Sequence, residues 1–192
     1  MIRVVLSGPT QVGSEAILRS MTSELAADTA FSREVELAAG DEVSRRLQAM
    51  GELPVGAAVI TPGGGHPASF LIHVVLRSRE EPVGAEAVRA GLTNGLRRAR
   101  ELGLESLALP PLGIGAGNLD PQESAAVMVP ILLDHDCTSS GHPREMTILV
   151  ATAYEEEVFL RALDPVQNRG PLQELPELDL DPPRGGTEPR EL

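Results

Sequence analysis

The chain has 192 residues, 42% of them hydrophobic and only 2% aromatic, with no Trp. That suffices for one domain with a sizeable core of Leu, Val, Ile and Ala, and it makes base stacking on aromatic platforms an unpromising trade. The formal net charge is -12 and all sixteen basic residues are Arg; such a surface repels nucleic acid and anionic membrane, and the lack of Lys excludes Schiff-base chemistry and a lysine-bearing Walker loop.

The opening "IRVVL" is rich in β-branched residues and stops at Ser7-Gly8-Pro9, which predicts a strand. It is neither a signal peptide nor a membrane span, and no later run reaches the ~20 apolar residues a span needs, so a cytoplasmic protein is expected. "EAILRSM" fits a short strand or half a helix. From Asp28 to Met50 the pattern is helical with a break near Gly40, where Asp41 is placed to cap the second part. "GAAVITP" and "SFLIHVVL" read as strands separated by Gly63-Gly64-Gly65-His66-Pro67.

Val88, Leu92, Leu96, Ala99 and Leu102 then share one face of a helix that Gly103 would stop. "LESLALP" is nearly continuous in apolar residues, as befits a strand buried on both faces. A glycine-rich loop follows, then a helix from about Pro121 to His135 with Asp120 as its N-cap. "EMTILVA" and "YEEEVFLRAL" give a last strand and a last helix. Alternating strands and helices predict a three-layer α/β/α sandwich around a mixed sheet over residues 1–163. Residues 164–192, with six prolines and an excess of acid, predict a disordered acidic tail.

The loop, Leu112-Gly113-Ile114-Gly115-Ala116-Gly117-Asn118, stands where a strand hands over to a helix. Alternating glycines let successive backbone N–H groups converge on an anion, and the following helix aims its positive end at the same place. The spacing is not that of a Rossmann loop, because no Gly stands two residues beyond Gly117. A tight crossover with unusual backbone angles is the plainer alternative.

Three separated stretches, "GAAVITPGG" (Gly56, Ala58, Thr61, Gly63), "LIHVV" (Ile72, His73, Val75) and "PPLGIGAG" (Pro111, Leu112, Gly113, Gly115, Gly117), together resemble the motifs of the macro domain family. The resemblance implies a roughly six-stranded mixed sheet with a cleft for ADP-ribose at the strand ends. It also implies a phosphate loop at Leu112 to Asn118. Members of that family bind ADP-ribose, or remove it from proteins, or deacetylate O-acetyl-ADP-ribose. Before Pro54 the likeness fades. Ser7-Gly8-Pro9-Thr10 stands where the family carries an Asp that contacts adenine. "ILRSMT" replaces an Asn-bearing strand, and "ELAADTAFSREV" replaces a glycine-rich loop. Ser20 or Thr22 would have to supply the ribose contact, and Arg19 or Arg33 would either clamp a phosphate or lie exposed.

Elsewhere His73 reads as a buried structural histidine, His66 as an exposed turn residue, and Asp134 to Cys137 as a solvated helix end rather than a metal set. The single Cys137 precludes an internal disulfide. No catalytic residue, cofactor or metal is assigned. The expected partner is an ADP-ribose-like small nucleotide or an ADP-ribosylated protein, with neither nucleic acid nor membrane involved. Binding, a ligand-free scaffold and a hydrolase or deacetylase remain open.

Overall fold

The computed structural model describes residues 1–115, 119–137 and 141–164; the expected tail from 165 onward lies outside them, as do Ala116, Gly117 and Asn118. Strands β1 (Ile2–Leu6), β2 (Ala16–Thr22), β3 (Ala58–Pro62), β4 (Phe70–Arg77), β5 (Ser106–Leu109) and β6 (Glu145–Val150) form one sheet in the order β1-β6-β5-β2-β4-β3. Every pairing is parallel except β3 with β4. "EAILRSM" is therefore a strand; β2 lies inside the sheet with six of its seven residues buried, and burial on both faces hides the alternation that would have marked it.

Among the described residues, five helices complete the layers. Helices α1 (Ala30–Ala39) and α2 (Asp41–Gln48) cover one face, packing Val35, Ala39, Val43 and Leu47 against Ile17, Met21, Leu71, Val75 and Leu149. Helices α3 (Ala85–Glu101), α4 (Pro121–Cys137) and α5 (Ala153–Leu163) cover the other, over Leu18, Ile72, Val74, Leu107, Leu109 and Ile148. Close approach sets the α3 distance. A Cβ on Gly95 would lie 2.6 Å from Leu18 Cδ1, and one on Gly91 would lie 2.8 Å from Leu76 Cδ2. No described helix is long and apolar enough to cross a membrane.

Local rules account for most boundaries. Thr29 caps α1 by accepting the Ser32 N–H at 3.1 Å, and Asp120 and Glu123 form a reciprocal capping box before α4, each carboxylate accepting the other's N–H at 2.8 and 2.9 Å. Asp41 does not cap α2; Gly40, at φ 85°, holds the cap position and Asp41 is the first helical residue. Val88, Leu92, Leu96 and Ala99 are buried as their spacing predicts, but Leu102 is half exposed because the helix ends at Glu101 and the chain turns at Gly103.

From β2 the chain crosses through α1 and α2 toward β3 and β4; from β5 it crosses through α4 in the opposite direction, toward β6. Such a reversal between adjacent parallel strands opens a crevice beyond their carboxyl ends. The start of α1 and the glycine loop after β5 both project there.

Candidate functional site

The crevice contains two adjoining hollows. One, of about 160 Å³, is bounded by Thr29, Ala30 and Phe31 of the α1 entry, by Ile114 and Gly115 of the glycine loop, and by Glu155. The other, of about 340 Å³, runs past Ala30, Phe31 and Glu34 to Ser7, Gly8 and Leu149, under the end of β1. Ala30, Phe31, Leu149 and Ala151 border both, so together they form one elongated cleft. A larger hollow of about 590 Å³ lies beyond β4 and carries Glu24, Glu52, Glu80 and Glu81 against one cation, Arg79, which Glu24 already pairs at 2.6 Å. Its acidity is wrong for a diphosphate, and the glycine loop does not reach it.

The small hollow is edged by backbone donors. Leu112 is buried, its N–H meeting Met128 Sδ at 3.1 Å and its carbonyl accepting the Ser124 hydroxyl at 2.7 Å. That anchor fixes the start of the loop. Gly113 and Gly115 take φ angles of 86° and 81°, a region that side-chain-bearing residues avoid. Leu112 to Gly115 form a turn, and the N–H groups of Gly113, Ile114 and Gly115 make no hydrogen bond of good geometry to another described residue. Opposite them stands the first turn of α1, whose leading N–H groups have no preceding carbonyl to bond. The two sides come close: a Cβ on Gly115 would lie 3.8 Å from Thr29 Cγ2. Glu155 is the one acid on this hollow, and its Oε2 accepts the Ala151 N–H at 2.8 Å.

Ile114 and Gly115 thus line the cleft, whereas Leu112 and Gly113 are buried behind them, Gly113 against Leu119 and Val88, and Ala116, Gly117 and Asn118 lie outside the described residues. Ser20 and Thr22 line neither hollow. The Ser20 hydroxyl is buried and donates to Asp28 Oδ1 at 2.8 Å, and Thr22 Oγ1 accepts the Ala26 N–H at 3.3 Å.

Beneath α1 lies a polar network that replaces the expectations for Arg19. This arginine is fully buried at the centre of β2, in register with His73 of β4, and is neither exposed nor at the cleft. Its Nε donates to His73 Nδ1 at 2.9 Å and its Nη1 to the Ser32 carbonyl at 2.8 Å; Glu36 Oε1 stands 4.0 Å from Nη2. Because Nδ1 accepts, the His73 proton resides on Nε2, 2.9 Å from Thr61 Oγ1. Desolvation, then the Arg19 charge, drives the His73 pKa well below its ordinary value. Burial also lowers the Arg19 pKa, opposed by Glu36 and then Asp28. Ser32, whose hydroxyl donates to the Ser20 carbonyl at 2.6 Å, pins the same helical turn a second time. The buried structural role read for His73 holds, whereas Arg33 is exposed as its plainer reading had it.

His66 departs from expectation. It is buried, not exposed: the Gly63-Gly64-Gly65 turn tucks under α1, with Gly65 N–H bonding the Ala39 carbonyl at 3.0 Å, and it carries the imidazole inward. Nδ1 accepts the Ala68 N–H at 3.0 Å, and burial lowers the His66 pKa despite the Pro9 carbonyl nearby. His135 is likewise buried within the helix end that was read as solvated, with Arg100 Nη2 3.4 Å from its Nδ1.

A mixed six-stranded sheet between two layers of helices, with a crevice at its strand-order reversal, defines a three-layer α/β fold. The Macro domain family model matches residues 19–128, more than half of the chain, and the chain belongs to that family. An uncharacterized protein of Aeropyrum pernix is 33% identical over 132 residues, 65% of this chain and 67% of that one. A macro domain-containing protein of Ralstonia nicotianae is 26% identical over 138 residues, 70% of this chain and 80% of its own. An uncharacterized protein of Mycobacterium tuberculosis is 29% identical over 126 residues, 66% of this chain but 35% of its own, so the chain spans about a third of that relative's length. Among solved structures, the Oceanobacillus iheyensis macrodomain with ADP superposes with TM-score 0.74 at 20% identity, covering 83% of this chain and 88% of that one. The Trypanosoma brucei macrodomain in complex with ADP gives 0.74 at 16%, covering 85% and 69%. At such identity these two likenesses establish the fold.

Proposed function

We propose that the protein binds ADP-ribose or a related nucleotide diphosphate, with the diphosphate in the small hollow and the nucleoside in the larger one. The observation that carries this reading is the pair of residues Ile114 and Gly115, whose N–H groups have no partner among the described residues, lining a hollow with the amino-terminal end of α1. Donors left without partners at a concave site favour an anion that can accept from them, and a helix start adds positive potential. The ADP-containing structures that share the fold lend support.

The loop from Leu112 to Asn118 serves as the phosphate cradle. With their hydroxyls engaged inside the protein, Ser20 and Thr22 contribute indirectly, by holding the β2–α1 connection in place. Leu6, Phe31 and Leu149 give the larger hollow apolar walls suited to a flat ring. The reading stops at binding. Among the described residues lining the cleft, the ionisable side chains are Glu34 and Glu155, and the latter is already occupied by a backbone N–H.

Titration calorimetry of ADP-ribose into the full chain is the test. Micromolar affinity is expected, and absence of heat at millimolar ligand refutes the reading. Gly115→Glu places a like charge against the diphosphate and should abolish binding. Because Gly115 sits at φ 81°, any side chain there costs roughly 1–2 kcal/mol of stability. Gly115→Ala, which carries the same strain without the charge, is therefore the matched control and should retain measurable affinity.

A further inference from the structure

A hollow of about 440 Å³ opens between α4 and α5 and shares no lining residue with the cleft. Ala125, Val129 and Val158 are its buried floor, and Ala126, Pro130 and Arg161 stand exposed at its rim. Ala126, Pro130 and Leu133 follow one another at helical spacing, all exposed, and carry the apolar strip along α4. Pro130 lies inside the helix and has no N–H, so the Ala126 carbonyl lacks its usual donor four residues on. Charge on this face runs against the chain's net -12. Arg161 is the one charged side chain on the hollow, and its partner Glu157 holds it in an exposed pair, which is readily exchanged. Past Pro130 the next hollow carries Arg89, Arg100 and His135 against Asp134.

The chain itself supplies a segment of matching chemistry. Residues 172–181, "LQELPELDLD", set Leu172, Leu175, Leu178 and Leu180 among Glu174, Glu177, Asp179 and Asp181, with no basic residue. Pro176 opposes a continuous helix, which leaves main-chain N–H groups free for an outside acceptor such as the Ala126 carbonyl. We propose that residues 172–181, which lie outside the described ones, dock in the α4–α5 groove of the same molecule. The leucines enter the hollow, and the acids face Arg161 and the Arg89–Arg100 side. This contact is independent of the nucleotide reading. The described chain ends at Asp164, just past Ala162 on the groove wall. The connecting residues 165–171 include Pro165, Gly170 and Pro171, which suit a reversal of direction. Extended, they span up to roughly 23 Å, more than the about 16 Å length of α5. A segment tethered so closely needs little intrinsic affinity, because its effective concentration is high.

The chain has no Trp, so Leu178→Trp places a single fluorescent probe in the segment. In the full chain this variant should emit to the blue of its own spectrum in urea. It should also resist acrylamide quenching severalfold better, at every protein concentration. Adding Ala126→Glu at its exposed position obstructs the groove and repels the acids. Emission and quenching should then return to the urea values with the melting temperature unchanged. Arg161→Glu, also exposed, reverses the facing charge and should weaken the protection; it decides the matter if Ala126→Glu fails to fold. Emission of Leu178→Trp that matches its urea spectrum overturns the docking, and protection that survives both charge substitutions overturns the site. Protection that fades on dilution assigns the groove to the tail of a second copy and overturns the intramolecular contact.

Discussion

Arg19 shows how much a single buried charge constrains. Its guanidinium satisfies His73 and the Ser32 carbonyl at once, so truncation strands two polar groups and leaves a void. Arg19→Ala should cost about 3–5 kcal/mol in urea denaturation. The His73 pKa is lowered in the fold, so the unfolded chain takes up the proton first as pH falls. Stability from this group is full above the unfolded value near 6.5 and declines below it, by up to about 1.4 kcal/mol per pH unit. Urea midpoints between pH 7.5 and 5.5 should show a slope at least this large, and His73→Gln should reduce it, leaving the share of His66 and His135, whose pKa values burial also lowers. Part of the network was visible beforehand: His73 was legible as structural from its apolar strand. Its partner was not, because an arginine is read as solvent-facing unless its strand is known to be central. The signal was there in the alternation Ile17, Arg19, Met21, which puts Arg19 between two core side chains on one face.

At the scale of elements, the glycines of α3 set how closely that helix approaches the sheet, and the caps of α1 and α4 fix where those helices begin. Gly95→Val forces a branched side chain into Leu18 and should destabilise the domain by about 1–3 kcal/mol, read as a lower melting temperature. Asp120→Ala dismantles the capping box and should cost about 1 kcal/mol, read the same way. Strands and helices were legible wherever periodicity was one-sided, as along Val88, Leu92, Leu96 and Ala99. Legibility failed where packing from outside the element decided the outcome. His66 is buried by α1, an element distant in sequence, and β2 is buried on both faces, so neither could be placed by local pattern. The glycine loop was legible as a turn with positive φ. That the Gly113, Ile114 and Gly115 amides find no partner among the described residues follows only from the fold, since the anchor at Leu112 comes from Ser124 and Met128 of α4.

For the whole molecule, the proposed nucleotide site predicts a link between ligand and stability: a ligand present at 100 times its dissociation constant should raise the unfolding free energy by about 2.7 kcal/mol, seen as a thermal shift that Gly115→Glu lacks. Membership in the family was legible from three motifs in order, and the architecture followed from alternating strands and helices. The order of the strands within the sheet did not, because parallel neighbours are joined by helices of similar character. That order pairs β1 with β6 and with no other strand, Ile2 lying beside Met146 at the far end of the described chain. On the ribosome, Ile2–Leu6 must therefore wait unsatisfied while some 140 residues emerge, and loop closure of that length slows the last annealing step. During this interval a β-branched, apolar strand is open to capture by chaperones or by other nascent copies.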